Sequence, residues 1–225
     1  MRIRRDGEAT RARILRAAAS VFGEKGYRDA TNAEICRTAE ANSAAINYHF
    51  GSKSRLYEAT WEFLTEEVDR LCPLEGGVPS DASPEERLRG VIHAHLQRAV
   101  DDRLHHFHAI LMVELFYPTG IVDALLARRI ERNRKLLHGI VAQLLGEGCT
   151  EEDLVLCEMS VITQCHVTHR RRFSTAREDG RPVRRPPWHI TMDGLDRQVD
   201  HITRFCLGGI RAVREGIQSR RMQSE

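Results

Sequence analysis

Thr31-Asn-Ala-Glu-Ile-Cys-Arg-Thr-Ala-Glu-Ala-Asn-Ser-Ala-Ala-Ile-Asn-Tyr-His-Phe-Gly-Ser-Lys53 carries three helix starts and two helix stops within one short stretch. Thr31-x-x-Glu34 is a capping box, in which the Thr hydroxyl accepts from the Glu34 amide while the Glu34 carboxylate reaches back. It predicts a short helix from Asn32 to about Ala39. Asn42 is a second N-cap and opens another short helix, Ser43 to Phe50. Gly51 and Ser52 break that helix, and Ser52 caps a longer one from Lys53 to about Leu71. Upstream, Ile14, Ala18, Val21 and Phe22 share one face of a helix over Thr10–Lys25, with Arg11, Arg13 and Arg16 elsewhere on it. Gly26 stands where a left-handed C-terminal cap belongs. A supporting helix followed by two short helices and a tight turn is helix-turn-helix architecture.

The second short helix, Ser43-Ala44-Ala45-Ile46-Asn47-Tyr48-His49, exposes small or hydrogen-bonding side chains. Small residues let a backbone approach the floor of a major groove, and Asn47 can pair bidentately with adenine. Tyr48 and Lys53 have the reach for phosphates, and the helix start at Thr31 offers amides to another. A three-helix packing module with a polar surface helix has the same pattern, and the residues alone leave both readings open.

Charge leans toward the first. Residues 1–60 hold eleven Lys/Arg against seven Asp/Glu, a balance of +4; the rest holds 23 against 25, a balance of −2. A basic head on a slightly acidic body suits nucleic-acid binding, although four charges do not decide it.

The stretches Thr10-Arg-Ala-Arg-Ile-Leu-Arg-Ala-Ala, Val21-Phe-Gly-Glu-Lys-Gly-Tyr27, Glu34-Ile35 and above all Asn47-Tyr-His-Phe-Gly-Ser-Lys53 resemble the DNA-binding domain of the TetR family of bacterial regulators. The resemblance implies that residues 43–49 are a recognition helix. The DNA-contacting set is then Thr31, Asn42, Ser43, Ala44, Asn47, Tyr48, His49 and Lys53, with His49 serving equally as a packing residue. The sequence departs from the family at the turn, where Glu40 replaces a Gly and needs positive φ. It departs also at Ala30 and Asn32, where Thr and an apolar residue are common.

The remaining sequence reads as helix throughout, and no segment alternates like a strand. Glu75-Gly-Gly-Val-Pro-Ser-Asp-Ala is an exposed break. Ser83-Pro84-Glu85-Glu86 starts a helix to about Val100. Further helices cover Leu104–Leu115, about Thr119–Leu145 (closed by Gly146 and Gly148), Thr150 to about Arg170, and Met192 to about Gln218. A basic loop occupies 171–188. The chain is thus expected to be all-α with about nine helices. Residues 8–68 form the helix-turn-helix domain, and residues 83–218 form a C-terminal effector-binding and dimerisation domain.

In the last helix Leu195, Val199, Ile202, Cys206, Gly209 and Val213 form an apolar stripe, widened by Phe205 and Ile210. Gly208-Gly209 inside a helix costs about 1 kcal/mol per Gly, which close approach of another helix would justify. Met159–His169 carries no formal charge. Two such helices per chain can build a four-helix bundle across a two-fold axis; a purely intramolecular core has the same pattern. Paired recognition helices on DNA half-sites favour the dimer.

Glu114-Leu-Phe-Tyr-Pro-Thr119, Ser160-Val-Ile-Thr-Gln-Cys165 and Asp200-His-Ile-Thr-Arg-Phe-Cys-Leu-Gly-Gly-Ile-Arg211 are similar to the C-terminal domain of CecR-type TetR regulators. That resemblance implies a homodimer with a small-molecule effector pocket among the C-terminal helices. Met112, Phe116, Met159, Gln164 and His169 are the candidate lining, mixing adaptable apolar groups with a few polar ones.

Other classes find little support. No nucleophile elbow, phosphate-binding loop or dinucleotide fingerprint is present, so no catalytic residues are assigned. Eleven His include His93/His95, the run His105, His106, His108, and the pair His166/His169, but none has a Cys or acid at chelating spacing. No metal and no cofactor is expected. Six Cys without a Cys-x-x-Cys pair read as reduced apolar residues. With no spanning stretch and no apolar leader, the expected setting is cytoplasmic, away from membranes. The expected function is a ligand-responsive repressor that binds a palindromic double-stranded DNA operator as a dimer; a helical adaptor without effector-gated DNA binding is the alternative.

Overall fold

The computed structural model describes residues 2–166 and 194–222. Among them are nine α-helices, one 3-10 turn and no strand. The helices are α1 (Arg2–Asp29), α2 (Asn32–Thr38), α3 (Ser43–Phe50), α4 (Lys53–Leu71), α5 (Pro84–Val100), α6 (His105–Phe116), α7 (Asp123–Leu145), α8 (Glu151–His166) and α9 (Leu195–Met222). The sequence expectation of an all-α chain holds. The tails read beyond His166 and before Leu195, and the basic loop at 171–188, lie outside the described residues.

The capping signals act as read. The Thr31 hydroxyl accepts from the Glu34 N–H at 3.2 Å, and the Glu34 carboxylate accepts from the Thr31 N–H at 3.1 Å. Ser83 and Glu86 repeat the arrangement at the start of α5, with Pro84 at its first position. Gly26 kinks α1 at φ 76°, a conformation that only glycine adopts readily, and the helix resumes for one turn to Asp29. Pro118 and Gly120 delay α7 until Asp123, four residues after the predicted start.

Contacts group the chain into two compact units. The first is Met1–Leu71 with Asp102–Ala127; the second is Cys72–Asp101 with Arg128–Glu225. In the first, α1 packs on α2, α4 and α6. Its core holds Ile14, Phe22, Ile35, Ile46, Leu56, Tyr57 and Trp61, all nearly inaccessible to solvent. Phe22 meets Tyr57 edge to face at 4.8 Å, and Trp61 lies 5.7 Å from Phe107. Thus α6, read from sequence as part of the C-terminal domain, contributes Phe107 and Ile110 to the core beneath the helix-turn-helix.

His106 of α6 sits against Gly23 of α1, where even a methyl group would come within 3.0 Å of the imidazole. Burial, with His105 stacked beside it at 3.6 Å, lowers the His106 pKa to about 4; Glu24 opposes the shift. The unfolded chain therefore takes up this proton first as pH falls from 6.5. Stability is full above pH 6.5 and is lost toward pH 4, by an amount on the order of 2 kcal/mol. His106→Gln should flatten that part of the pH dependence, read from urea midpoints across this range; an unchanged acid slope would contradict the assignment.

In the second unit α5, α8 and α9 pack together with the C-terminal part of α7. Leu88, Ile92, Leu96, Ile140, Val141, Val161, Val199 and Ile202 form one continuous apolar core. Burial pushes the thiols of Cys165 and Cys206 up to about 12 and about 11, so both behave as small apolar groups. None of the six cysteines is in a disulfide among the described residues.

Candidate nucleic-acid interface and comparison with known proteins

The geometry of α2 and α3 follows from their caps and from two buried anchors. Ile46 and Phe50 point inward, which turns Ser43, Ala44, Asn47 and Tyr48 to solvent. Tyr48 is 85% exposed, an unusual state for an aromatic with nothing in its own unit to cover it. Asn42 caps α3 by accepting from the Ala45 N–H at 2.8 Å, so its carboxamide oxygen is committed to the helix. His49 is half-buried between Tyr48 and Phe50, which fits its packing role.

Thr31 and Lys53 do more inside the protein than sequence alone indicated. The Thr31 hydroxyl donates to Glu34 at 2.9 Å besides accepting from its amide. Lys25 pairs with the same carboxylate, and the hydrogen bonds from Lys25 and Thr31 hold Glu34 at a pKa of about 2. Lys53 donates its ammonium to the Arg28 carbonyl at 3.3 Å and lies 4.6 Å from the centre of the Tyr27 ring. It therefore clips the start of α4 to the end of α1.

Between α2 and α3 the chain turns through Glu40, the one non-glycine residue with positive φ (48°) among the described residues. The Glu40 N–H donates to Arg37 O at 3.3 Å and the Ala41 N–H to Cys36 O at 2.9 Å, a Schellman closure. The departure from Gly at this position thus leaves the turn intact, at a strain cost of about 1 kcal/mol. Glu40→Gly should raise stability by roughly that amount in thermal melts without changing the turn; a loss of stability would show the side chain to be needed. Asn32 records the other departure: its side-chain oxygen is buried with no hydrogen-bond partner.

In the second unit α8 and α9 enclose an open groove of about 250 Å³, lined by Leu156, Ser160, Gln164, Phe205, Gly209 and Val213 among others. Phe205 is 62% exposed, and Leu156 and Met159 are similarly open. Residues 84–210, more than half of the chain, match the C-terminal domain of the HTH-type transcriptional dual regulator CecR, and residues 14–60 match the tetR family of bacterial regulatory proteins. The chain belongs to the CecR-type branch of the TetR family.

Both family models that match the chain are those of transcriptional regulators. SrpR of Pseudomonas putida is 26% identical over 143 residues, 64% of this chain and 64% of SrpR. CecR of Shigella flexneri is 42% identical over 60 residues, 27% of this chain and 26% of CecR. The match thus spans less than two thirds of either relative. A TetR-like regulator from Rhodococcus sp. RHA1 shares the fold at a TM-score of 0.63 and 18% identity, covering 90% of this chain and 96% of that one. AibR, solved with isovaleryl coenzyme A and operator DNA, shares it at 0.65 and 17% identity, covering 86% and 96%.

The expected dimer stripe needs correction in the TetR-type body. Leu195, Val199, Ile202 and Cys206 are buried in the core of their own unit, against residues of α5, α7 and α8. Gly209 is exposed and Val213 half-buried, and these two line the groove instead. An apolar stripe has the same spacing whether it faces its own core or another chain, so periodicity could not separate them.

The expected effector lining is divided between the two units. Met112 is buried in the first unit, while Phe116, one turn on, is 71% exposed. Met159 and Gln164 belong to the second unit; Gln164 lines the groove and Met159 is solvent-facing. His169 lies outside the described residues. The histidines read as possible chelators are partly engaged with backbone: the rings of His95 and His105 bond the Val91 and Asp102 carbonyls at 2.9 and 2.6 Å. Among the described residues no helix is long and apolar enough to cross a membrane.

Proposed function

We propose that this regulator binds a pseudo-palindromic DNA operator as a homodimer in the cytoplasm and acts as a repressor released by a small-molecule effector. The observation that carries the DNA reading is α3: Ser43, Ala44, Asn47 and Tyr48 project from a helix anchored by Ile46 and Phe50. Small and amide side chains can enter a major groove, and an exposed Tyr can reach a phosphate. The outer face of α8 and α9, with Leu156, Met159, Phe205, Gly209 and Val213, is the surface on which a second copy would complete a four-helix bundle. AibR, solved with an acyl coenzyme A and operator DNA, supports effector and operator binding on this architecture.

Gel shifts on the DNA flanking the gene, run across a salt series, test the reading. Tyr48→Ala and Lys53→Ala should each weaken binding about tenfold on every sequence and flatten the salt dependence. Asn47→Ala should instead relax base preference, by about 1–3 kcal/mol of discrimination at one position. Wild-type affinity in all three variants would remove α3 from the interface.

A further inference from the structure

Glu114 of α6 is 2% exposed, and no cation pairs with it among the described residues. Its partners are neutral donors. The Tyr57 hydroxyl of α4 donates at 2.6 Å, and the Thr119 hydroxyl and N–H donate at 2.9 and 3.0 Å. Thr119 in turn accepts from the Ile121 N–H at 3.2 Å, which ties down the connection after α6. Burial, then the Glu114 bond, push the Tyr57 phenol far above its ordinary range, so it stays a donor.

A buried carboxylate held only by neutral donors is a poor way to gain stability. An apolar pair of similar volume would hold α4 and α6 together at least as well. What the polar set adds is direction, since hydrogen bonds fix the angle at which Tyr57 stands. Tyr57 lies one turn beyond Lys53 on α4, so the two share a face. The Tyr27 ring lies 5.0 Å from Tyr57 and 4.6 Å from the Lys53 ammonium. Only Gly51 and Ser52 separate the end of α3 from α4, so the rotation of α4 sets where the C-terminal end of α3 stands.

We propose that Glu114 is a positioning residue for DNA binding, acting through Tyr57 to fix Lys53 and the C-terminal end of α3. The inference rests on the reading of α3 as the DNA-contacting helix. It is tested with the full chain and a short duplex of random sequence, titrated across a sodium chloride series alongside urea denaturation. The double variant Tyr57→Phe with Glu114→Leu, which leaves the part-buried Thr119 hydroxyl and N–H to water, should still fold cooperatively in the urea titration yet bind the duplex about tenfold more weakly, with a shallower salt slope. Wild-type affinity and slope in a stable double variant would make Glu114 structural only. Should that variant not fold, Tyr57→Phe alone removes one hydroxyl, and it too should lose affinity severalfold; no loss overturns the proposal. A wild-type chain that ignores the duplex at low salt would overturn the DNA reading itself, an outcome separate from either of these.

Discussion

Ile202→Glu is expected to unfold the second unit, and Phe205→Glu to leave it folded but monomeric. The two positions are three residues apart on α9, yet Ile202 is 5% exposed within the apolar core and Phe205 is 62% exposed beside the groove. A carboxylate at Ile202 would be buried without a partner, a cost of several kcal/mol that is comparable with the whole stability of a domain. The same carboxylate at Phe205 is solvated in the monomer and meets its own image only when two copies associate. The groove lined by Phe205 and Gly209 would then hold like charges across the two-fold axis. A methyl added at Gly208 or Gly209 would meet nothing beyond its own helix within 4 Å, so no close approach among the described residues accounts for two costly helical glycines. Sedimentation and circular dichroism on both variants check this. A folded, dimeric Phe205→Glu would place the interface on another face.

The contrast between these positions shows how far sequence could reach. Fold class was legible because several helix boundaries carry their own chemistry: the boxes at Thr31/Glu34 and Ser83/Glu86, the cap at Asn42, the stops at Gly51 and Gly146. Those signals act between residues a few positions apart, so no knowledge of tertiary structure is needed to read them. The outward set on α3 was legible for a related reason, since Ile46 and Phe50 are the large apolar residues of a short helix and fix its inner face.

Long-range partners were not legible. Glu114 looked like part of a family motif, and nothing nearby in sequence indicated that its carboxylate would meet Tyr57, 57 residues earlier. The length of Lys53 and its place in the family motif point to a phosphate contact; its clip to Arg28, which spans 25 residues, leaves no local sign. The stripe on α9 failed in the same way. Helical periodicity reports that a face is apolar and is silent on what covers it.

A glycine pair makes the same point with opposite signs. Gly90→Ala in α5 is expected to destabilise the protein by about 3 kcal/mol, and Gly139→Ala in α7 to stabilise it by about 1 kcal/mol. Both sit inside helices, where Ala is intrinsically the better residue, so sequence alone predicts a gain at each. At Gly90, however, a Cβ would stand 2.2 Å from the Glu75 carbonyl oxygen and 2.8 Å from a Val78 methyl. The first of these is backbone and cannot swing aside. The chain after α4 is held there by the bidentate pair of Arg87 with Glu75, at 2.9 and 3.1 Å, and at Gly76, with φ 62°, an added Cβ would itself stand 2.9 Å from the Gly90 carbonyl oxygen. At Gly139 a Cβ meets nothing within 4 Å. Urea titrations of the two single variants, run on the same preparation, decide the matter. Equal and positive shifts would mean that the turn at 75–78 yields readily, and that the approach of its backbone to α5 is not what requires glycine at position 90.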